Sequence, residues 1–141
     1  MNSPRPVLAV SACLFRGGDL LLVERGRAPF AGLLSLPGGR VEFGETLDAA
    51  ILREVAEETG LAPRRLSFLH LHQAIALAEG SHAVIAVFQG ELPPDAAPRA
   101  GDDAASLRFV APGEVRALEA AGRTTPGLAA VAALAEAARQ P

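Results

Sequence analysis

The sequence predicts a mixed α/β sandwich folded as one domain over residues 1–141. Three observations predict it. Half of the residues are apolar, enough to bury a core and to exclude wholesale disorder. Stretches rich in β-formers recur between glycine and proline turn signals. One amphipathic helical stretch lies mid-chain, and two more close the sequence.

The elements follow in order. VLAVSACLF (7–15) and LLLVERG (20–26) read as strands joined by the turn signal RGGD, a hairpin. APFAGLLSLPGG (28–39) reads as a loop holding a short apolar strand, stopped by Pro37 and two glycines. Residues 47–59 read as a helix with Thr46 as N-cap. Gly60 stands at the left-handed C-cap, and Pro63 prevents resumption. Residues 65–77 and 81–92 read as two strands joined by AEG, and 93–105 has loop composition. SLRFV (106–110) is a short strand. Residues 112–122 and 126–140 read as helices, the second with Thr125 as cap and Pro126 at its first position.

Composition excludes several classes. A net charge of −3 argues against a nucleic-acid duplex as partner. No apolar run reaches the roughly 18–20 residues that span a membrane. Cys13 is the only cysteine, so no internal disulfide forms, which fits a cytoplasmic location. RPVLAVSACLF reads as a buried first strand. As a signal ending at Cys13, its apolar run would fall short of the roughly 7–15 residues required. All 13 basic residues are arginine, which reads as a compositional habit of the source genome.

The central helix raises the functional question. At about 100° per residue, Glu54, Glu57 and Glu58 share an arc of roughly 100°, apart from the arc of Ile51, Leu52 and Val55. Like charges at these spacings destabilise a helix by roughly a few tenths of a kcal/mol per pair, and Arg53 can offset part of this through Glu57. One reading is a solvated charged face. The other is a divalent-cation site, because hard cations such as Mg²⁺ take carboxylate oxygens together with substrate phosphates.

The surrounding residues favour the second reading. Gly39, Glu45, Arg53-Glu54-Val55, Glu57-Glu58 and Gly60-Leu61 match every fixed position of G-x5-E-x7-R-E-U-x-E-E-x-G-U, where U is a bulky aliphatic residue. This is the Nudix box, and the chain resembles the Nudix hydrolase family over residues 39–61. The resemblance implies a Nudix α/β/α sandwich with a central mixed sheet and the box as a loop–helix–loop. It implies Mg²⁺-dependent (or Mn²⁺-dependent) hydrolysis of a nucleoside diphosphate linked to another moiety, by water attack on phosphorus, releasing a nucleoside monophosphate. Glu54 and Glu58 would be metal ligands, with Glu57 contributing directly or through water and the Gly38 carbonyl as a further ligand. Arg53 would orient the glutamates, and Glu45 would hold the loop against the helix. The general base would be a box glutamate or an acid outside the box: Asp102, Asp103 or Glu91.

Other residues carry two readings. Arg25, Arg27 and Arg40 either reach substrate phosphates or keep the surface soluble. Phe30 either stacks on a base or packs in the core. His70, His72 and His82 lie in strands and read as structural or substrate-lining, since no third ligand at metal spacing accompanies them.

The substrate is less legible. One ADP-ribose pyrophosphatase subgroup carries a proline about fifteen residues beyond the box, where this chain has Ile75. The tyrosine of one dinucleoside polyphosphate subgroup is missing, as is the Pro/Gln/Ser-rich marker of NADH pyrophosphatases. The pattern GELP…GDDAASLRFVAPGEV is similar to small proteins labelled ADP-ribose pyrophosphatase-like. A nucleoside triphosphate pyrophosphatase fits nearly as well. The alternative from another class is a non-catalytic nucleotide-binding sensor, which the retained glutamates disfavour. A homodimer is expected because many members of the resembled family dimerise.

Overall fold

The computed structural model describes residues 4–101 and 103–139. Val7–Arg16 (β1), Asp19–Arg25 (β2), Leu34–Ser35 (β3) and Gly38–Arg40 (β4) precede helix Leu47–Thr59 (α1). Ser67–Ala76 (β5), a 3₁₀ turn at Leu77–Glu79, Ser81–Leu92 (β6) and Ala104–Val110 (β7) follow. Pro112–Ala120 (α2) and Leu128–Ala137 (α3) close the chain. The sheet runs β3-β2-β1-β6-β5, with β4 paired to β1 and β7 paired to β2. It is mixed: β1 and β6 are parallel from Val7↔Ala83 to Arg16↔Leu92, and the other pairings are antiparallel.

The layers follow from the two-residue period of β1. Val10, Ala12 and Leu14 point to one face, where Ala50, Ile51 and Val55 of α1 pack with Ala86 and Phe88. Cys13 and Phe15 point to the other, against Val115 of α2 and Leu128, Val131 and Ala135 of α3. Fully buried leucines such as Leu14, Leu20 and Leu22 each contribute about 1.5–3 kcal/mol through transfer from water. Cys13 lies in this core with its thiol pushed up to about 12 by burial, so it is an inert packing group. No helix among the described residues is long and apolar enough to cross a membrane.

Helix α1 has the predicted caps. The Thr46 hydroxyl accepts the Ala49 N–H at 3.1 Å, and Gly60 sits at φ 72° with its N–H on the Ala56 carbonyl. Three expectations need correction. Gly38 and Gly39 do not end a strand; they form β4, where a Cβ on Gly38 would meet the Val10 carbonyl oxygen at 2.1 Å. Their lack of side chain permits that approach. Strand β7 starts at Ala104, inside the predicted loop, because Arg25 of β2 pairs with it past a register shift. Helix α3 starts at Leu128 rather than Pro126. Thr125 donates its N–H to Leu34 and so extends the sheet, while Gly127 takes φ 86° as the N-cap. The side-chain cap comes from another helix: Glu119 of α2 accepts the Ala129 N–H at 2.7 Å. Gln140, at the predicted end of this helix, lies outside the described residues.

Candidate functional site

Helix α1 presents Glu54 and Glu58 toward β4. Gly38 donates its N–H to Glu58 Oε1 at 3.0 Å, and a Cβ on Gly39 would stand 2.5 Å from the Glu54 carboxyl atoms. The two glycines therefore open the space these carboxylates occupy. Arg53 binds the cluster from the side. Its Nε and Nη2 donate to the two oxygens of Glu45 at 2.5 and 2.9 Å, and its Nη1 donates to Glu54 at 2.8 Å and to Glu57 at 3.3 Å. Nη2 also reaches the Arg40 carbonyl at 3.0 Å, which ties β4 to α1. Glu45 accepts the Glu42 N–H as well, so the loop between β4 and α1 closes on the same guanidinium. Glu57 stands outward, with an exposed side chain.

The electrostatics divide the acids. Hydrogen bonds from Arg53, then from the Glu42 backbone, hold Glu45 down to about 2. Burial pushes Glu58 up to about 7, opposed by the Gly38 N–H and reinforced by the charge of Glu54. Burial also raises Glu54, with Arg53 opposing. Two half-buried carboxylates held near each other at this cost are the arrangement a cation relieves.

The donor set suits a hard divalent cation. Mg²⁺ uses one or two carboxylates and takes its other oxygens from water and phosphate, so a complete protein cage is not required. Among the described residues no group of three or more His, Cys, Asp or Glu side chains forms such a cage. Replacing Gly39 by alanine is expected to displace Glu54 and weaken Mg²⁺ binding, measured calorimetrically, with the metal-free fold retained because the colliding atoms are a side-chain end. Replacing Gly38 by alanine is expected to impair folding, because there the collision is with backbone.

The remaining candidates separate into two groups. Asp103 and Arg25 lie close enough to act on Glu58, the first raising and the second lowering it. The loop bearing Asp103 is laid over the end of α1: Gly101 donates to the Glu58 carbonyl, and a Cβ there would lie 1.9 Å from the Glu57 carbonyl. Gly101 was not singled out from sequence; a glycine beside the two aspartates was the available signal. Arg27 pairs with Asp103 at 2.8 Å, with both side chains more than half exposed, a contact of small energetic worth. Asp102 lies outside the described residues. Glu91 is held by Arg139, whose Nε donates at 2.7 Å, and this guanidinium also binds the Gly17 carbonyl and covers Phe15. That cluster sits where β6 ends, beside Phe15 of β1, whereas Gly38–Arg40 pair with Ala9–Ser11 of the same strand, so Glu91 is engaged by Arg139 further along the sheet than the box.

A cavity of about 950 Å³ adjoins Gly38 and Gly39 and is bordered by Arg5, Arg25, Phe30, Arg40, His72 and His82. Phe30 is the one non-glycine residue with positive φ, 65°, among the described residues. His72 packs beneath Gly127, where a Cβ would come 2.8 Å from its ring, and burial lowers its pKa. His70 lies 6.4 Å from it, ring to ring, and does not line the cavity.

Comparison with known proteins gives concordant results. A family model described as a NUDIX domain matches residues 5–130. An ADP-ribose pyrophosphatase from Methanocaldococcus jannaschii is 38% identical over 109 residues, covering 74% of this chain and 61% of that protein. An 8-oxo-dGTP diphosphatase from Escherichia coli K12 is 34% identical over 61 residues, covering 43% of this chain and 47% of that protein. The chain thus spans less than two thirds of the length of these relatives. Among solved structures, a MutT NUDIX hydrolase from Burkholderia pseudomallei superposes with a TM-score of 0.72 at 33% identity, over 77% of this chain and 85% of that one.

Proposed function

The chain belongs to the Nudix hydrolase family, and from that premise we propose that it hydrolyses the diphosphate of a nucleoside diphosphate derivative with Mg²⁺ or Mn²⁺ as cofactor. The observation that carries this reading is the packing of Glu54 and Glu58, braced by Arg53, against Gly38 and Gly39, the two glycines that also line an arginine-bordered cavity. Glu54 and Glu58 would hold the cation, with the Gly38 carbonyl beside them and Glu57 acting directly or through water. Bound there, the cation supplies neutralisation of phosphate charge and acidification of water.

The chain's own groups do the rest. Arg53 fixes the carboxylates. Arg25 and Arg40 pair with phosphate oxygens, to which guanidinium is matched in shape and charge. Arg27 contributes less, because it does not border the cavity as Arg25 and Arg40 do. Water attacks one phosphorus, the bridging P–O bond breaks, and a nucleoside monophosphate leaves with the phosphorylated second group. Asp103 is the proposed acceptor of the water's proton, supported by its proximity to Glu58.

The proposed substrate is ADP-ribose-like. The relative named ADP-ribose pyrophosphatase is similar over the larger share of this chain, and the cavity is near the upper end of the roughly 300–1,000 Å³ range of small-molecule sites. A nucleoside triphosphate reading is favoured by the second relative. Incubation with Mg²⁺ and a panel of ADP-ribose, nucleoside triphosphates, NADH, dinucleoside polyphosphates and nucleotide sugars decides between them. Preferred release of AMP from ADP-ribose is expected. Binding of nucleotides with no turnover of any compound would overturn the enzyme reading in favour of a sensor.

A further inference from the structure

The last carbonyls of an α-helix find no partner within the helix. In α1 two of them are taken by a segment distant in sequence. Arg99 donates its N–H to the Thr59 carbonyl at 2.8 Å, and Gly101 donates to the Glu58 carbonyl at 2.9 Å. Gly101 lies flush on this turn, where a Cβ would stand 1.9 Å from the Glu57 carbonyl oxygen and 3.2 Å from the Glu58 Cα. Thr59, the position between Glu58 and Gly60 that the box leaves free, shapes the turn from inside. It is fully buried, and its hydroxyl donates to the Val55 carbonyl at 2.6 Å and accepts the Leu61 N–H at 3.2 Å. Asp103 is held on two sides. Ala104 donates to the Gly101 carbonyl at 3.2 Å, and Gly26, just past β2, donates to the Asp103 carbonyl at 3.2 Å. A Cβ on Gly26 would come 2.9 Å from that same oxygen.

We propose that Gly101 is a positioning residue for Asp103, a role that rests on the reading of Asp103 as proton acceptor. By lying against the last turn of α1, Gly101 ties the backbone of Glu58 to the segment that carries Asp103, and Gly26 braces that segment from β2. Glycine is required because the facing atoms are backbone. A flexible side-chain end could swing away from an added methyl group, but a helix carbonyl cannot, so the segment itself would lift. A general base acts only within hydrogen-bond reach of its proton, about 2.6–3.2 Å. A misplacement of roughly an ångström can cost on the order of 10²-fold. Backbone bonds between helix and segment set the carboxylates of α1 and Asp103 in one frame before substrate arrives. The contact of Arg27 with Asp103 is exposed on both sides and too weak to supply that rigidity.

Gly101→Ala tests this in two readouts. Amide hydrogen exchange on the metal-free protein needs no turnover. The amides at positions 99 and 101 are expected to be protected in the wild type and to exchange at least about tenfold faster in the variant, while amides inside α1 keep their rates. Turnover is then measured in a double-mutant cycle with Asp103→Asn. Gly101→Ala is expected to lower kcat by about tenfold or more when Asp103 is present, and by at most about twofold when asparagine already replaces it. Gly26→Ala, whose added methyl group meets the Asp103 carbonyl instead of α1, is expected to follow the same cycle. It carries the test if Gly101→Ala does not unfold cooperatively. Equal losses of kcat in both backgrounds would assign the glycines to general structure and overturn the proposal, as would wild-type kcat in both glycine variants. Full activity of Asp103→Asn would overturn the proton-acceptor reading, and the catalytic role of the tie with it. Unprotected wild-type amides beside a crippled Asp103→Asn would overturn the positioning role alone.

Discussion

Replacing Glu58 with glutamine is expected to cut Mg²⁺-dependent hydrolysis on the order of 10²–10³-fold while stabilising the metal-free protein at pH 8. The two effects share one cause. Burial raises the folded pKa of Glu58 from 4.5 to about 7. A raised carboxylate pKa means that the folded chain binds more protons than the unfolded one between those values. The contribution to stability therefore falls as pH rises from 4.5 to about 7 and stays reduced above it. Glutamine escapes this cost because it carries no charge. The melting temperatures of variant and wild type, measured in chelator, should nearly coincide at pH 4 and diverge in favour of the variant by pH 8. Added Mg²⁺ should raise the wild-type midpoint by mass action and leave the variant's unchanged. A variant less stable than the wild type at pH 8 would show that the carboxylate's bond to Gly38 outweighs its burial.

Removing Arg53 is expected to act on fold and site together. Its guanidinium serves Glu45, Glu54, Glu57 and the Arg40 carbonyl at once. Alanine would leave a partly buried cluster of like charges without its counterion, lowering the melting temperature by several degrees at pH 7. Hydrolysis should fall by about 10–100-fold, the scale for groups that orient metal ligands. Lysine should recover little, because an ammonium cannot span a carboxylate with two parallel donors. The pH dependence has the opposite sign to that of Glu58. Arg53 depresses the folded pKa of Glu45 to about 2, so its stabilisation is complete above about 4.5 and is lost as pH falls toward 2. The gap in denaturant midpoint between wild type and Arg53→Ala should be widest near neutral pH and narrow between pH 4 and pH 2. A gap that stays constant across that range would assign the loss to packing of the arginine stem.

The comparison of sequence and structure turns on range. Helix α1 was legible with both caps because each signal is local: Thr46 bonds three residues on, and Gly60 answers to its own φ. Strand β1 was legible from its β-formers, and the buried Cys13 within it agrees with that reading. The start of α3 was not legible, because Thr125 is drawn into the sheet by Leu34 and the cap arrives from Glu119, both distant in sequence. Glu91 had the right chemistry for a base, and only the fold shows it clasped by Arg139, 48 residues away.

The residues of Nudix-box spacing, and with them the family, were determined by the sequence alone, because one helix and its two flanking turns hold nearly all of the motif within 23 consecutive positions. Tertiary structure decided which outlying residues join that motif. Chain folding, not spacing, lays the Asp103 loop across the end of α1 and sets Arg25 where its charge lowers the pKa of Glu58. It also decided that Gly38 and Gly39 are strand residues pressed against β1. Whether a glycine ends an element or admits a neighbour depends on what approaches it, and that neighbour comes from elsewhere in the chain.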